Sequence, residues 1–433
     1  MAEEGPDTGV QDLCALDRDV ARAFASLGEW RGALDADLAS RADVAPLDVV
    51  RRVAGQSTWV ALERIDVSAA DRPLRDALGR WVYFLIQARI GCADDVAWAR
   101  AAAKTAPVDR GEGRSETAWR AAWRGAVAAP SSPAALPWLE AAAELAPALA
   151  SVATHRASRR MEVAHRLGLA HPAEPLVGVA PSLLHEAATR FLATTDDLWS
   201  ATFRDVLREG GGLAAVLVAA VGRQAGEGWP ARLSAASLRE LLRHAFDGPP
   251  IEVPALPPAR GAASFARGLG ALGFAVRSAR PSSSVPFALA REPWFVAAHR
   301  LSFVVASLAA DPLFQGRALG LGSRASSAQA RVLARAALFD VRLHAMRLRL
   351  GDEAAPAPRD LFDELTARTF GRSMDRRFCG AWPRAREDEP ARWLALLETV
   401  RFGRSLRDRF DADWFRNPRA WRELRASTLA REP

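Results

Sequence analysis

Lysine is almost missing from this chain. Of its 58 basic residues only Lys104 is a lysine and the rest are arginine; tyrosine also occurs once, as Tyr83. Lys and Tyr have AT-rich codons, whereas Arg, Ala, Gly and Pro have GC-rich ones. The skew therefore points to a GC-rich coding genome, as in many bacteria. The net charge of +7 loses force as a sign of phosphate binding. A nucleic-acid footprint is a concentrated basic patch, and here arginines and acids are interspersed.

Cysteine is scarce too: Cys14, Cys92 and Cys379 are far apart and odd in number. That speaks against a disulfide framework or a paired-cysteine metal site and fits reduced thiols in a cytoplasm. A membrane span needs roughly 20 mainly apolar residues. The strongest run, 294–310, is shorter and is interrupted by His299 and Arg300. Residues 1–10 are acidic and lack an apolar signal core, which argues for a loose, disordered N-terminus and against Sec export. No Gly-rich phosphate loop ends in Lys-Ser or Lys-Thr, and no serine stands in a nucleophile elbow. Few windows alternate apolar and polar residues as a half-buried strand does.

What the chain has is helical periodicity. Its 433 residues, 49 % of them apolar, suffice for two or three domains or one large helical body. The expected fold class is all-α: a large multi-helix bundle or two packed helical domains, with little or no β. The pattern is clearest at 323–351. Val332, Ala336, Phe339, Leu343, Met346 and Leu350 keep to one stripe. Leu333, Ala337, Leu338, Val341 and Leu348 widen it, so more than one neighbour should pack there. Arg335, Arg342 and Arg349 run along the flank seven apart. They read either as a rail for phosphate or a partner, or, more plainly, as stems covering a seam with their heads in water. Ser326 and Ser327 suit the helix start and Gly351 a left-handed residue past its end. The run 295–310 reads as a buried companion helix, with His299 a hydrogen-bonded core residue.

Along the chain, helices are expected from near Leu13 to beyond Trp30, at 48–62 and at 73–90, with Trp59, Trp81 and Trp98 as core or groove fillers. A loop follows at 107–116, then Trp119 and Trp123 at helical spacing. A Pro/Ser-rich break at 129–137 precedes an alanine-rich helix, in one or two pieces, at 138–169. The Pro-rich stretch 247–263 is the clearest linker. It divides an N-terminal helical domain, 11–246, from a C-terminal one, 264–433, that ends in an aromatic tail.

Candidate chemistry is thin. His185-Glu186-Ala187-Ala188-Thr189 imitates a zinc-peptidase helix, but Thr189 stands where the second imidazole must be. Glu209 could imitate a third ligand, yet two ligands do not close a site. His185, Glu186 and Glu209 therefore read as weak metal candidates, and no cofactor is expected. Gly268, Gly270 and Gly273 fit the spacing of a dinucleotide turn without a preceding strand. In the tail, Asn417 and Pro418 mark a helix start. Trp414, Phe415, Arg416 and Trp421 are candidates for partner binding, since Trp, Phe and Arg are frequent interface anchors; the plainer reading is that the aromatics dock the tail on the body.

The segment Asp413-Trp-Phe-Arg-Asn-Pro-Arg419, with the long alanine- and arginine-rich helices, resembles the tails of helical bacterial relatives of the thimet-oligopeptidase-like metallopeptidases. The resemblance covers about the last third of the chain. It implies a His-Glu-x-x-His helix and a downstream glutamate; with Thr189 in place of the second histidine, it implies a catalytically silent relative. The residues themselves point to a cytoplasmic, non-catalytic helical scaffold or interaction module, with a protein partner or self-association. An arginine-rich nucleic-acid binder is the further alternative, and the interspersed charge weighs against it.

Overall fold

The helical period is realised almost throughout. The computed structural model describes residues 12–35, 47–109, 114–221, 229–230, 240, 261–278, 285–351, 359–382 and 387–426. The helices in the first half are Leu13–Asp35, Leu47–Val53, Gln56–Arg64, Arg72–Ala103, Trp119–Ala128, Ser132–Arg166, Glu174–Val177, Pro181–Thr194, Asp196–Thr202, Arg204–Arg208 and Leu213–Val221. Those in the second are Ala262–Ser278, Phe287–Ala290, Val296–Ser307, Pro312–Leu319, Ser323–Leu350, Arg359–Phe370, Glu389–Phe410 and Pro418–Ala426. The fold is all-α, with one small β-hairpin among the described residues, and no described helix is long and apolar enough to cross a membrane.

Two expectations about loops are corrected. The stretch 107–116 is not an open loop: Thr105–Asp109 pairs antiparallel with Arg114–Ala118, from Thr105 opposite Ala118 to Asp109 opposite Arg114. With only two strands every strand is an edge, so Pro107 is tolerated, while Ala106 and Val108 point into the core. The break at 129–137 shrinks to residues 129–131. Pro137 and Pro147 lie inside a continuous helix, Ser132–Arg166. Residues 1–10 and 247–260 of the expected linker lie outside the described residues.

Apolar residues gather into two cores. The larger takes Val20, Trp81 and Leu149 from the first half and Phe339, Met346 and Trp393 from the second. The smaller contains Phe265, Leu301, Phe314, Leu406, Trp414, Phe415 and Trp421. Three helices feed both: Val296–Ser307, Ser323–Leu350 and Glu389–Phe410. The glycines that mimic a dinucleotide turn lie within Ala262–Ser278, where they permit close helix contact. A Cβ on Gly273 would stand 2.7 Å from the Leu301 carbonyl oxygen, and one on Gly270 3.1 Å from Ser302 Oγ.

The central helix runs from Ser323 to Leu350, with Phe339 only 2 % exposed. Its ends differ from expectation. Gly322 is the N-cap, Ser326 is buried against Gln315, and Gly351 has φ −100°, outside the left-handed region. The arginine flank differs more. Arg342 has no exposed surface, so its head is not in water. Its Nη1 donates to Thr195 Oγ1 at 2.7 Å and to the Leu192 carbonyl at 3.2 Å, and its Nη2 to Asp196 Oδ1 at 2.8 Å. The guanidinium lies 5.2 Å from the Trp199 ring centre. Arg368 grips the other side of the same carboxylate, its Nε 2.9 Å from Oδ1 and from Oδ2. Burial pushes the Asp196 carboxyl up, but its bonds to Arg368 and Arg342 outweigh this and leave it below the usual range.

The tail is built into the smaller core. Trp414, Phe415 and Trp421 are 2 %, 1 % and 0 % exposed. Phe415 meets Phe314 edge-on at 5.2 Å, and Trp421 Nε1 donates to the Phe415 carbonyl at 2.8 Å. Asn417 Oδ1 accepts from the Arg419 N–H at 3.0 Å, starting the final helix.

Two outcomes follow for stability. Asp196→Ala strands a fully buried guanidinium, so unfolding in urea should show a loss of about 3 kcal/mol, the lower end for a broken buried pair because Asp196 is itself partly exposed. Unchanged urea stability would mean that the pair does not hold these helices. Deleting the chain after Phe410 removes three buried aromatics, each contributing roughly 1.5–3 kcal/mol. The melting temperature should fall clearly, and an unchanged melt would show the tail core to be dispensable.

Candidate functional site

Arginines and tryptophans from distant parts of the chain line one cleft of about 670 Å³. Arg31 comes from Leu13–Asp35, Trp98 from Arg72–Ala103, Arg156 and Arg160 from Ser132–Arg166, and Arg347 from the end of the central helix. Trp119 and Trp123, and likewise Arg156 and Arg160, are four residues apart, so each pair shares a helix face. Trp382, Glu387 and Asp388 close the cleft ahead of the helix Glu389–Phe410. Trp294 and Phe295 enter from the turn before Val296–Ser307. Phe295 holds φ 54°, ψ 38°, a left-handed conformation that costs a non-glycine residue roughly 1–2 kcal/mol. Its ring packs against Phe24 and Phe274, at 5.9 and 5.5 Å between centres.

The aromatic wall is ordered. Trp123 stacks on Trp382 at 4.5 Å with 29° between planes, and Trp119 meets Trp123 edge-on at 5.6 Å. Arg160 is buried and lies over the Trp294 ring at 5.8 Å. The charges are tightly arranged. Arg31 Nε and Arg156 Nη2 share the Asp95 carboxylate, at 3.2 and 2.8 Å, and Arg156 also pairs with Glu387. Burial lowers the Arg156 pKa most; Asp95 opposes this, while Arg160 and Arg31 add to it.

Behind Asp388 stand two histidine–carboxylate pairs. His299 Nε2 is 3.4 Å from Asp388 Oδ2, and His344 Nδ1 bonds Glu389 Oε1. Arg392 Nε donates to Asp388 at 2.7 Å. Both acids sit at the start of a helix, where its dipole favours negative charge. Burial pushes Asp388 and Glu389 up, but hydrogen bonding and charge from their partners, His299 and Arg392 for the first and His344 and Arg347 for the second, prevail and hold both low. For His299 burial prevails over Asp388 and lowers its pKa. Burial also raises the Asp340 carboxyl, against Arg267, His344 and Arg347.

Among the described residues, those lining the cleft include no Ser, Thr, Cys, Lys or His. The two carboxylates among these described lining residues are engaged, Glu387 by Arg156 and Asp388 by His299 and Arg392. This arrangement can hold a ligand but offers no free nucleophile among the described residues.

The residues singled out from the sequence lie elsewhere. His185 and Glu186 are on Pro181–Thr194, where Glu186 pairs with Arg190 and the Thr189 hydroxyl donates to the His185 carbonyl at 2.9 Å. Glu209 is exposed at the end of Arg204–Arg208. Among the described residues no three His, Cys, Asp or Glu side chains are grouped to hold a metal. Of the tail candidates, Trp414, Phe415 and Trp421 are buried in their own chain and offer no surface to a partner; only Arg416 is exposed. The arginines of the cleft were hidden among dozens of others, while Trp98, Trp119 and Trp123 were the visible part of the signal. Comparison with protein-family models, with curated proteins and with solved structures finds no match to this chain.

The buried histidine gives a pH dependence. The folded pKa of His299 is lowered, so below about pH 6.5, the usual histidine value, the unfolded chain takes up a proton that the folded one refuses. Its stabilising contribution is complete above pH 6.5 and is lost as pH falls through the folded pKa. The lowered Asp388 and Glu389 add a second loss below about pH 4. Melting temperatures measured from pH 8 to 5 should decline below pH 6.5, and His299→Gln should flatten that decline. An equal slope in the variant would assign the effect to other groups.

Proposed function

We propose that this chain is a non-catalytic helical binding protein and that its ligand occupies the arginine–tryptophan cleft. The observation that carries this reading is the cleft itself. Its volume, about 670 Å³, lies within the range of roughly 300–1,000 Å³ of small-molecule sites. Its walls are aromatic, and Arg31, Arg156, Glu387 and Asp388 are fixed by ion pairs. The lack of a free nucleophile among the described lining residues favours binding over turnover. The sequence suggested an interaction module; the cleft supports that reading and favours a compact ligand over a flat partner surface. Ion pairing of Arg22, Arg31, Arg156, Arg342, Arg368 and Arg376 with acids weighs against an arginine track for nucleic acid.

Thermal-shift screening of the full chain against a diverse small-molecule set tests this. Compounds that raise the melting temperature of the wild type should lose that effect in Trp382→Ala, whose indole forms one face of the stacked pair. Compounds that stabilise both proteins equally, or a set with no stabilising compound, would overturn the assignment of the cleft.

A further inference from the structure

Outside the cleft and independently of it, we infer that His155 is a phosphoryl acceptor: its Nε2 takes a phosphoryl group from a phosphoramidate donor, with Asp94 as the positioning carboxylate. His155 lies on the helix Ser132–Arg166 and its side chain is 64 % exposed, whereas that of Asp94, on Arg72–Ala103, is only 6 % exposed. His155 Nδ1 stands 2.9 Å from Asp94 Oδ1. An ionised carboxylate only accepts hydrogen bonds, so Nδ1 carries a proton and donates it. In the neutral ring this fixes the tautomer and leaves the lone pair on Nε2, which has no partner among the described residues. Burying a carboxylate is costly unless its partners offset the loss of water, and a pair with a well-exposed side chain stabilises a fold little. Asp94 nevertheless faces two partners that reach water, His155 and Arg159, whose Nη1 is 3.5 Å from Oδ2. Oδ2 itself makes no hydrogen bond. The buried charge is thus directed at the imidazole and the guanidinium.

The surroundings suit a phosphoryl group. Arg159 is one turn beyond His155 on the same helix face, and a guanidinium fork matches phosphate oxygens. Ser151 and Ser158, one turn to either side, are short and exposed, which leaves room for a donor to approach in line. In the transfer the Nε2 lone pair attacks phosphorus, the P–N bond of the donor breaks, and the amine leaves with the bonding pair. Phosphoramidate itself, protonated on nitrogen, leaves as ammonia. The ring loses no proton: Nδ1–H stays on Asp94, and the imidazolium that forms is stabilised by that carboxylate, as in a hydrolase triad. One P–N bond replaces another, so no oxidant or further energy source is required. Other histidines offer one part of this arrangement. His299 and His344 have carboxylate partners but are largely buried. His165, on the same helix, is exposed, and its neighbour Glu162 pairs with Arg166 instead.

Treating the full-length protein with potassium phosphoramidate at neutral pH tests this, with His165 as the reference in the same chain. Peptide mapping by mass spectrometry, kept free of acid, should show His155 phosphorylated about tenfold or more faster than His165. That is the effect of one charge-assisted hydrogen bond that strengthens as the ring becomes cationic. Phosphorus NMR of the isolated His155 peptide should place the group on Nε2, because Asp94 occupies Nδ1. Asp94→Asn keeps the side-chain shape and removes its charge; it should bring His155 close to the rate of His165 and leave His165 unchanged. A melting curve establishes that the variant is folded, and if it is not, the comparison of the two histidines in the wild type still decides. Equal rates at His155 and His165, phosphorylation at Nδ1, or an unchanged His155 rate in folded Asp94→Asn would each overturn the inference. Ligand binding in the cleft is decided separately, by the compound screen.

Discussion

A fully buried guanidinium organises this fold. Taking Arg342 out of water is costly, and the cost is met only if its donors find acceptors in fixed positions. Those acceptors are the Leu192 carbonyl, the Thr195 hydroxyl and the Asp196 carboxylate, all at the junction of two helices. Arg368 on a third helix shares Asp196. The central helix thereby fixes the rotation and height of its neighbours more narrowly than apolar packing alone, which tolerates exchange of similar shapes.

That fixation matters for the cleft. The central helix holds Arg342 in the larger core and, little more than one turn later, presents Arg347 to the cleft. The helix Val296–Ser307 likewise presents His299 to Asp388 while its neighbours enter both cores. The polar groups behind the cleft thus lie where helices pass from one core to the other, and packing on both sides limits their movement. A binding site made of long, flexible arginine side chains gains from such support, because less side-chain freedom is lost on binding.

The sequence revealed some of this and concealed the rest for physical reasons. The central helix was legible because its apolar stripe runs unbroken through Phe339, Leu343 and Met346. The docked tail was legible because Phe410, Trp414, Phe415 and Trp421, so close together, cannot all remain in water. The role of Arg342 was not, since spacing along one helix cannot distinguish it from Arg335 or Arg349. What distinguishes it is Asp196, 146 residues away. The cleft escaped notice for the same reason: its arginines are brought together by tertiary packing, and each alone looks like part of a compositional bias. The hairpin was missed because Pro107 and the nearby glycines signal a turn more strongly than Ala106 and Val108 signal a strand.

The same long-range closures constrain how the chain is made. Asp17 accepts hydrogen bonds from the Phe287 and Ala288 N–H groups, 270 and 271 residues later. The Trp81 indole donates to the Arg291 carbonyl, 210 residues later. At roughly 5–20 residues per second of synthesis, the first helix waits about 15–50 s on the ribosome for its partner. During that interval Val20, Trp81 and the apolar residues around them lack their final cover. The nascent first half is therefore a natural client for a chaperone that shields apolar surface, and assembly is completed late, when the second half of the chain emerges.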